Sequence, residues 1–179
     1  MVELPRRLLL AAAPLLLLPA ARPRAATPAG TAYDFRFPAI EGGEIDLAQH
    51  RGKPILVVNT ASFCGFAPQF AALQKLHETY APRGLLVVGV PSNDFNQEAA
   101  DNAAVKEFCE AEFGVDFPMA AISHVRGPQA HPFFAWAGAP RWNFFKYLVG
   151  ADGRLLNTFP SQVEPNAPAL LQPIEAALA

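Results

Sequence analysis

Apolar residues along the chain follow two periods, one typical of strands and one typical of helices. Strands are predicted over residues 54–60 and 85–90, because residues 55–58 and 85–90 are continuous apolar runs, as expected of strands that a parallel sheet buries on both faces. Between them, residues 67–80 carry apolar side chains near helical spacing, so the three segments predict a strand-helix-strand unit. Three more helices are predicted over residues 102–112, 131–136 and 165–178.

Turn residues predict two hairpins. Residues 33–37 alternate between apolar and polar positions and lead into Glu41-Gly42-Gly43-Glu44, which predicts a short hairpin near the start of the domain. Asp152-Gly153 separates residues 144–149 from residues 154–159 and is the strongest hairpin signal in the chain.

The order of the elements is strand, helix, strand, helix, strand, strand, helix. This order predicts an α/β protein with a thioredoxin-like fold, in which helices flank a central mixed sheet. Pro173 stands inside the last predicted helix and should kink or break it, because proline removes a backbone donor.

The first residues differ from the rest of the chain. Arg6-Arg7 precedes an apolar run over residues 8–18, which resembles a secretory signal peptide and is too short for a spanning helix. The arginine pair is similar to a twin-arginine export signal, with Pro5 where a polar residue is expected. We therefore predict a signal peptide over residues 1–26, a linker over 27–32 and one domain over 33–179. Export would place the protein in the periplasm, or leave it anchored to the membrane if the leader stays uncleaved.

Composition and charge indicate a single globular core and argue against some classes of binding partner. With 51% apolar and 17% charged residues among 179, the chain can fill one ordinary core. Residues 1–26 contain four arginines and one glutamate, so their removal changes the net charge from −2 to −5. Such a charge argues against a nucleic-acid partner. His50, His77, His124 and His131 show no ligand spacing, so no metal site is expected.

Cys64 is the strongest candidate for chemistry because it lies where a buried strand ends and a helix begins. A thiol near the positive end of a helix dipole is favoured as the reactive thiolate. The alternative is a small buried side chain without a chemical role. The chain has one other cysteine, Cys109, and a structural disulfide is the simplest reason for an exported protein to hold a pair.

Three sequence blocks, in this order, resemble the glutathione peroxidase family over residues 33–178. They are the segments 59–65, 90–98 and 142–148, which read Asn-Thr-Ala-Ser-Phe-Cys-Gly, Val-Pro-Ser-Asn-Asp-Phe-Asn-Gln-Glu and Trp-Asn-Phe-Phe-Lys-Tyr-Leu. The resemblance implies that Cys64 attacks a hydroperoxide and becomes a sulfenic acid, with Gln97, Trp142 and Asn143 as its catalytic partners. It implies no cofactor. Read alone, Trp142 would be a core aromatic, Gln97 a surface residue and Asn143 a turn cap.

Cys109 matches the resolving cysteine of family members that use thioredoxin. The resemblance thus implies a disulfide between Cys64 and Cys109, reduced by a thioredoxin-like protein or by glutathione. A permanent bridge between them is the structural alternative. Arg141 and Lys146, the nearest basic residues, are interpreted as solvated surface cations rather than as glutathione ligands. The short segment between Trp136 and Trp142 lacks the insertion that tetrameric relatives use, so a monomer is expected.

Two other functions remain open at this point. A peroxide sensor that passes its disulfide to a client protein would have the same active site. A thiol-disulfide carrier is less consistent with the sequence, because the chain has no Cys-x-x-Cys motif.

Overall fold

The computed structural model describes residues 30–179, so the predicted signal peptide lies outside the described residues. Six strands and four helices make up this part of the chain, besides short 3₁₀ turns. In chain order they are β1 (Arg36–Pro38), β2 (Glu44–Asp46), β3 (Ile55–Thr60), α1 (Gln69–Tyr80), β4 (Leu86–Pro91), α2 (Asn102–Phe113), α3 (Pro132–Ala137), β5 (Lys146–Val149), β6 (Leu155–Phe159) and α4 (Pro168–Ala177). None of the helices in residues 30–179 is long and apolar enough to cross a membrane.

The central sheet has four strands in the order β4-β3-β5-β6. Strand β3 pairs in parallel with β4 and antiparallel with β5, and β5 pairs antiparallel with β6. The sheet is therefore mixed, as predicted. Every residue of β3 and β4 is buried, which explains their continuous apolar sequence. The separate β1–β2 hairpin is antiparallel.

Two apolar clusters lie on opposite faces of this sheet. The first joins side chains of α1, α2 and α4 and contains both cysteines, Cys64 and Cys109. The second joins the β1–β2 hairpin, the 3₁₀ turn after it and α3. Successive residues of β5 alternate between the clusters, with Leu148 in the first and Tyr147 in the second. The sheet thus carries the cysteines on one face only.

Two local features differ from the sequence predictions. Phe144 has a φ of 61°, which is incompatible with an extended strand, so β5 begins at Lys146 rather than at residue 144. The last helix continues through Pro173, so the predicted break does not occur. Pro173 lies in the second turn of this ten-residue helix, where packing of Leu170 and Ile174 into the core offsets one lost hydrogen bond.

Candidate active site

Cys64 lies in the turn that connects β3 to α1 and is almost fully buried. The backbone N–H of Phe66 donates to its Sγ atom at 3.5 Å, and the carbonyl of Cys64 accepts from Ala67 at 2.8 Å. Helix α1 begins five residues after Cys64, at Gln69. The turn therefore presents a backbone donor to the sulfur.

The loop that carries Gln97 packs directly on this turn. The carbonyl of Gln97 accepts a hydrogen bond of 2.9 Å from the backbone N–H of Phe63, the residue before Cys64. The loop reverses at Asn96, whose φ of 58° lies in the left-handed region that asparagine tolerates well. Gln97 is half-buried rather than a solvated surface residue.

Glu98 is a buried carboxylate that the sequence analysis did not identify. One of its oxygens, Oε1, accepts from the backbone N–H groups of Ser62 and Ala99, both at 2.9 Å. Burial raises the pKa of this carboxyl, and the hydrogen bonds from Ser62 and Ala99 oppose that rise. Glu98 therefore holds the Cys64 turn from a second point. The sequence signal for this role of Glu98 was its position directly after Gln97.

Trp142 and Asn143 lie in the segment before β5. Asn143 is fully buried, and its Nδ2 donates to Oε1 of Gln97 at 3.1 Å. Trp142 is 41% exposed, and its ring lies against Phe95 with the centroids 5.0 Å apart. Trp142 is thus not a core aromatic, and Asn143 binds another predicted site residue rather than capping a turn.

Asn59, near the end of β3, holds this segment in place. Its Nδ2 donates to the carbonyl of Trp142 at 3.1 Å, and its Oδ1 accepts from the N–H of Phe145 at 3.2 Å. Strand β3 leads directly into the Cys64 turn, so one strand supports both Cys64 and Trp142. An asparagine inside an apolar strand was the sequence signal for this role, since a buried amide needs partners.

Cys109 lies on α2 with its side chain buried. Burial raises the pKa of its thiol to about 12, and the charges of Glu98 and Glu110 add to the rise. Both cysteines are free, so the permanent bridge is absent from this structure. The two segments nevertheless touch: the ring of Phe63 meets the ring of Phe108, next to Cys109, in a T-shaped contact.

The two basic residues near the site differ in environment. Arg141 is exposed, as expected of a surface cation. The same interpretation of Lys146 is wrong, because its side chain is fully buried and hydrogen-bonded. Lys146 belongs to a strand that is covered on both faces. Its charge indicates exposure when the sequence is read alone. Within residues 30–179, no three His, Cys, Asp or Glu side chains come together as metal ligands would.

Comparison with known proteins agrees with this geometry. A profile of the family described as glutathione peroxidase matches residues 32–137, more than half of the chain. The chain belongs to the glutathione peroxidase family. A glutathione peroxidase of Lactococcus lactis subsp. cremoris is 41% identical over 143 residues, which cover 74% of this chain and 91% of that protein. The hydroperoxy fatty acid reductase gpx1 of Synechocystis sp. is 38% identical over 152 residues, covering 76% and 90% of the two chains.

The fold is shared more widely than the family. A thiol:disulfide interchange protein of the thioredoxin family from Chlorobium tepidum superposes with a TM-score of 0.64 at 21% identity, over 90% of this chain and all of that one. At this identity the similarity shows the thioredoxin-like fold alone, which confirms the predicted fold class. Membership of the glutathione peroxidase family makes the protein a peroxidase, an enzyme that acts on hydroperoxides with a thiol reductant.

Proposed function

We propose that Cys64 is the peroxidatic residue and that Gln97, Trp142 and Asn143 are its catalytic partners. The observation that carries the proposal is the double role of Gln97. Its carbonyl binds the residue before Cys64, and its side chain binds Asn143. Gln97 thereby links the thiol segment to the Trp142–Asn143 segment through two hydrogen bonds.

The chemistry follows from a thiolate beside neutral donors. The sulfur of Cys64 attacks the terminal oxygen of the hydroperoxide, the O–O bond breaks and a sulfenic acid forms. The departing alkoxide takes up a proton and leaves as an alcohol, or as water when the substrate is hydrogen peroxide. Amide N–H groups of Gln97 and Asn143 and the indole N–H of Trp142 can stabilise the developing oxyanion. Neutral donors do this without a permanent ion pair to the thiolate.

Cys109 resolves the sulfenic acid in this proposal. Its sulfur attacks the sulfur of Cys64, an S–S bond replaces the S–O bond, and the hydroxyl leaves as water with the thiol proton of Cys109. Disulfide geometry needs the two α-carbons within about 7 Å. The carbonyl of Cys109 accepts from the N–H of Val115 at 3.2 Å as part of the cap of α2. Because this bond holds the end of a helix that carries an inward-facing Cys109, we expect the C-terminal end of α2 to unwind locally when Cys109 reacts with Cys64.

A dithiol protein of the thioredoxin type is the proposed reductant, with glutathione as the alternative. Glutathione is an anion, and a site that binds it needs accessible positive charge. Of the two basic residues near the site, only Arg141 is exposed, because Lys146 is buried. A protein reductant would instead contact the exposed aromatic surface beside Cys64.

The same surface favours an apolar hydroperoxide as substrate. Phe63 is 65% exposed and Trp142 is 41% exposed, which is unusual for such large apolar side chains. The Synechocystis relative is named a hydroperoxy fatty acid reductase. We expect this enzyme to turn over a fatty acid hydroperoxide faster than hydrogen peroxide, and equal rates would contradict that preference.

The remaining expectations complete the proposal. The enzyme works as an exported monomer in the periplasm, after removal of residues 1–26, with residues 33–179 as its single domain. Its net charge of −5 after that removal keeps nucleic acid from being a partner. The reductant of its disulfide would then be a thioredoxin-like protein outside the cytoplasm.

The test is the intact mass of the reduced protein after one equivalent of hydrogen peroxide, with peptide mapping. Loss of two hydrogens and a mapped bridge between Cys64 and Cys109 would support the cycle. The Cys109→Ser variant should instead gain one oxygen on Cys64. If Cys64 gains oxygen in the wild type without a bridge, Cys109 does not resolve it. If neither cysteine changes, Cys64 is not the peroxidatic residue.

A further inference from the structure

Lys146 is the one charged residue of β5, and its ammonium group is enclosed by protein. Its Nζ donates to Oε1 of Gln69 at 2.6 Å and to the carbonyl of Val163 at 2.6 Å, with a longer bond of 3.4 Å to Ser161. The side chain has no exposed surface. All three donor positions of the ammonium group are therefore used inside the protein.

This arrangement costs free energy, because a buried cation loses its hydration. All three of its hydrogen-bond acceptors are neutral. Gln69 links the ammonium group to the carboxylate of Glu164, because its Nε2 donates to that carboxylate at 3.2 Å. Burial accordingly lowers the pKa of Lys146 to about 8. An apolar side chain of similar volume often serves stability equally well at such a position. The network thus points to a role other than stability.

The two ends of the Lys146–Gln69 bond belong to the two halves of the site. Gln69 is the first residue of α1 and follows Cys64 by five positions. Lys146 follows Asn143 by three positions and is the first residue of β5. Side chains at alternate positions of this segment, Phe144 and Leu148, lie in the same apolar cluster as Cys64. The bond therefore joins the Cys64 segment to the Trp142–Asn143 segment on the face of the sheet that carries the thiol.

We propose that Lys146, through its bond to Gln69, is a positioning residue that sets the distance of Cys64 from Trp142 and Asn143. The inference rests on the proposed function, in which these groups act together on a peroxide. Lys146 itself does not touch the substrate. Its contribution is to hold the two segments in register, as the two hydrogen bonds of Gln97 also do.

The experiment compares two reactions of Cys64 in the same protein. Reaction with hydrogen peroxide needs the donors of Trp142 and Asn143, whereas alkylation by iodoacetamide needs only an accessible thiolate. We expect Lys146→Met and Gln69→Leu each to slow the peroxide reaction by about tenfold or more, since small misplacements of catalytic groups are costly. Alkylation should stay within about twofold of the wild type. The double variant should lose no more than either single one, because both changes break the same bond.

Lys75→Met is the matched control, because Lys75 lies on α1 with a side chain 79% exposed and should leave both rates unchanged. Circular dichroism and cooperative unfolding establish that each variant folds. If Lys146→Met does not fold, Gln69→Leu breaks the bond from its other end. Two outcomes would overturn this inference and leave the proposed function standing. One is that the variants lose the peroxide reaction and the alkylation equally, and the other is that their peroxide rate stays within about twofold of a wild type that does react. A wild-type Cys64 that does not react with peroxide would overturn the proposed function as well.

Discussion

Phe63 and Phe108 meet in a T-shaped contact, with their ring centroids 6.0 Å apart and their planes at 64°. Phe63 directly precedes Cys64, and Phe108 directly precedes Cys109. The contact is therefore a direct link between the turn that carries one cysteine and the helix that carries the other. Such an aromatic pair contributes on the order of 1 kcal/mol, enough to bias the position of a helix with only two buried residues, Val105 and Cys109.

Loss of this contact should slow disulfide formation. In Phe108→Ala we expect the bridge between Cys64 and Cys109 to form several-fold more slowly, because α2 is no longer held against the turn. Oxidation of Cys64 should keep its rate. Rapid quenching with a sulfenic-acid trap, followed by mass spectrometry, measures both steps. Leu156→Ala removes an exposed apolar residue of β6 and serves as the control. A change in the oxidation step alone would contradict this account.

An ion pair between α2 and the hairpin, called the tie below, should slow disulfide formation rather than speed it. Lys106 on α2 pairs with Glu41 of the hairpin turn at 2.9 Å and also with Glu110 on its own helix. Beside this tie, a cavity of about 290 Å³ separates the hairpin from α2 and is lined in part by Cys109. Because Lys106 fastens α2 to the hairpin, Glu41→Gln should speed disulfide formation by about two- to fivefold.

Salt provides the check on this tie. Added salt screens an exposed ion pair, so it should speed disulfide formation in the wild type and have little effect in Glu41→Gln. The control is Glu78→Gln, which breaks the exposed Lys75–Glu78 pair on α1 and should change nothing. A salt effect of the same size in wild type and Glu41→Gln would show that the tie does not restrain α2.

The raised pKa of Cys109, about 12, makes a prediction about pH. The unfolded thiol has a pKa near 8.5, so above that pH the unfolded chain loses this proton while the folded protein keeps it. Stability contributed by the buried thiol is therefore complete below about pH 8.5 and declines as pH rises towards 12. The difference in unfolding free energy between wild type and Cys109→Ala should shrink over this range, by up to about 1.4 kcal/mol per pH unit. A difference that does not vary with pH would contradict the assignment.

Chemical modification gives an independent check on Cys109. At pH 7.5 iodoacetamide should alkylate Cys64 and leave Cys109 intact, because a thiol with a pKa of about 12 stays neutral at this pH and is a poor nucleophile. In guanidinium chloride both should react. Peptide mapping separates the two sites, and rapid labelling of Cys109 in the folded protein would show that α2 opens readily without oxidation.

Glu98 supplies a prediction about the Cys64 turn. In Glu98→Ala the buried N–H groups of Ser62 and Ala99 lose their acceptor, which should destabilise the fold by about 2 to 4 kcal/mol. The peroxide reaction of Cys64 should also slow. Glu98→Gln keeps an acceptor oxygen and should remain within about 1 kcal/mol of the wild type. Urea denaturation and the peroxide rate measure the two effects, and equal losses in both variants would show that the charge rather than the acceptor matters.

Much of the fold could be predicted from local pattern. The apolar runs of β3 and β4, the helical period of α1 and the Asp152-Gly153 turn are short-range features, and each lies close to its predicted position. The position of Cys64 between β3 and α1 follows from the same features. The sequence blocks around Cys64, Gln97 and Trp142 also identify the family, because residue type and order are properties of the chain itself.

Tertiary structure decided what those residues touch. Gln97 and Asn143 are 46 positions apart, and Lys146 and Gln69 are 77 apart, so no local period relates them. The burial of Lys146 depends on coverage of β5 by α1 and by the segment after β6, and a lysine in isolation indicates exposure. Hydropathy and periodicity indicate which residues of a single segment face water and which are buried. The site depends instead on pairing between distant segments, which is settled only when the sheet and its helices pack.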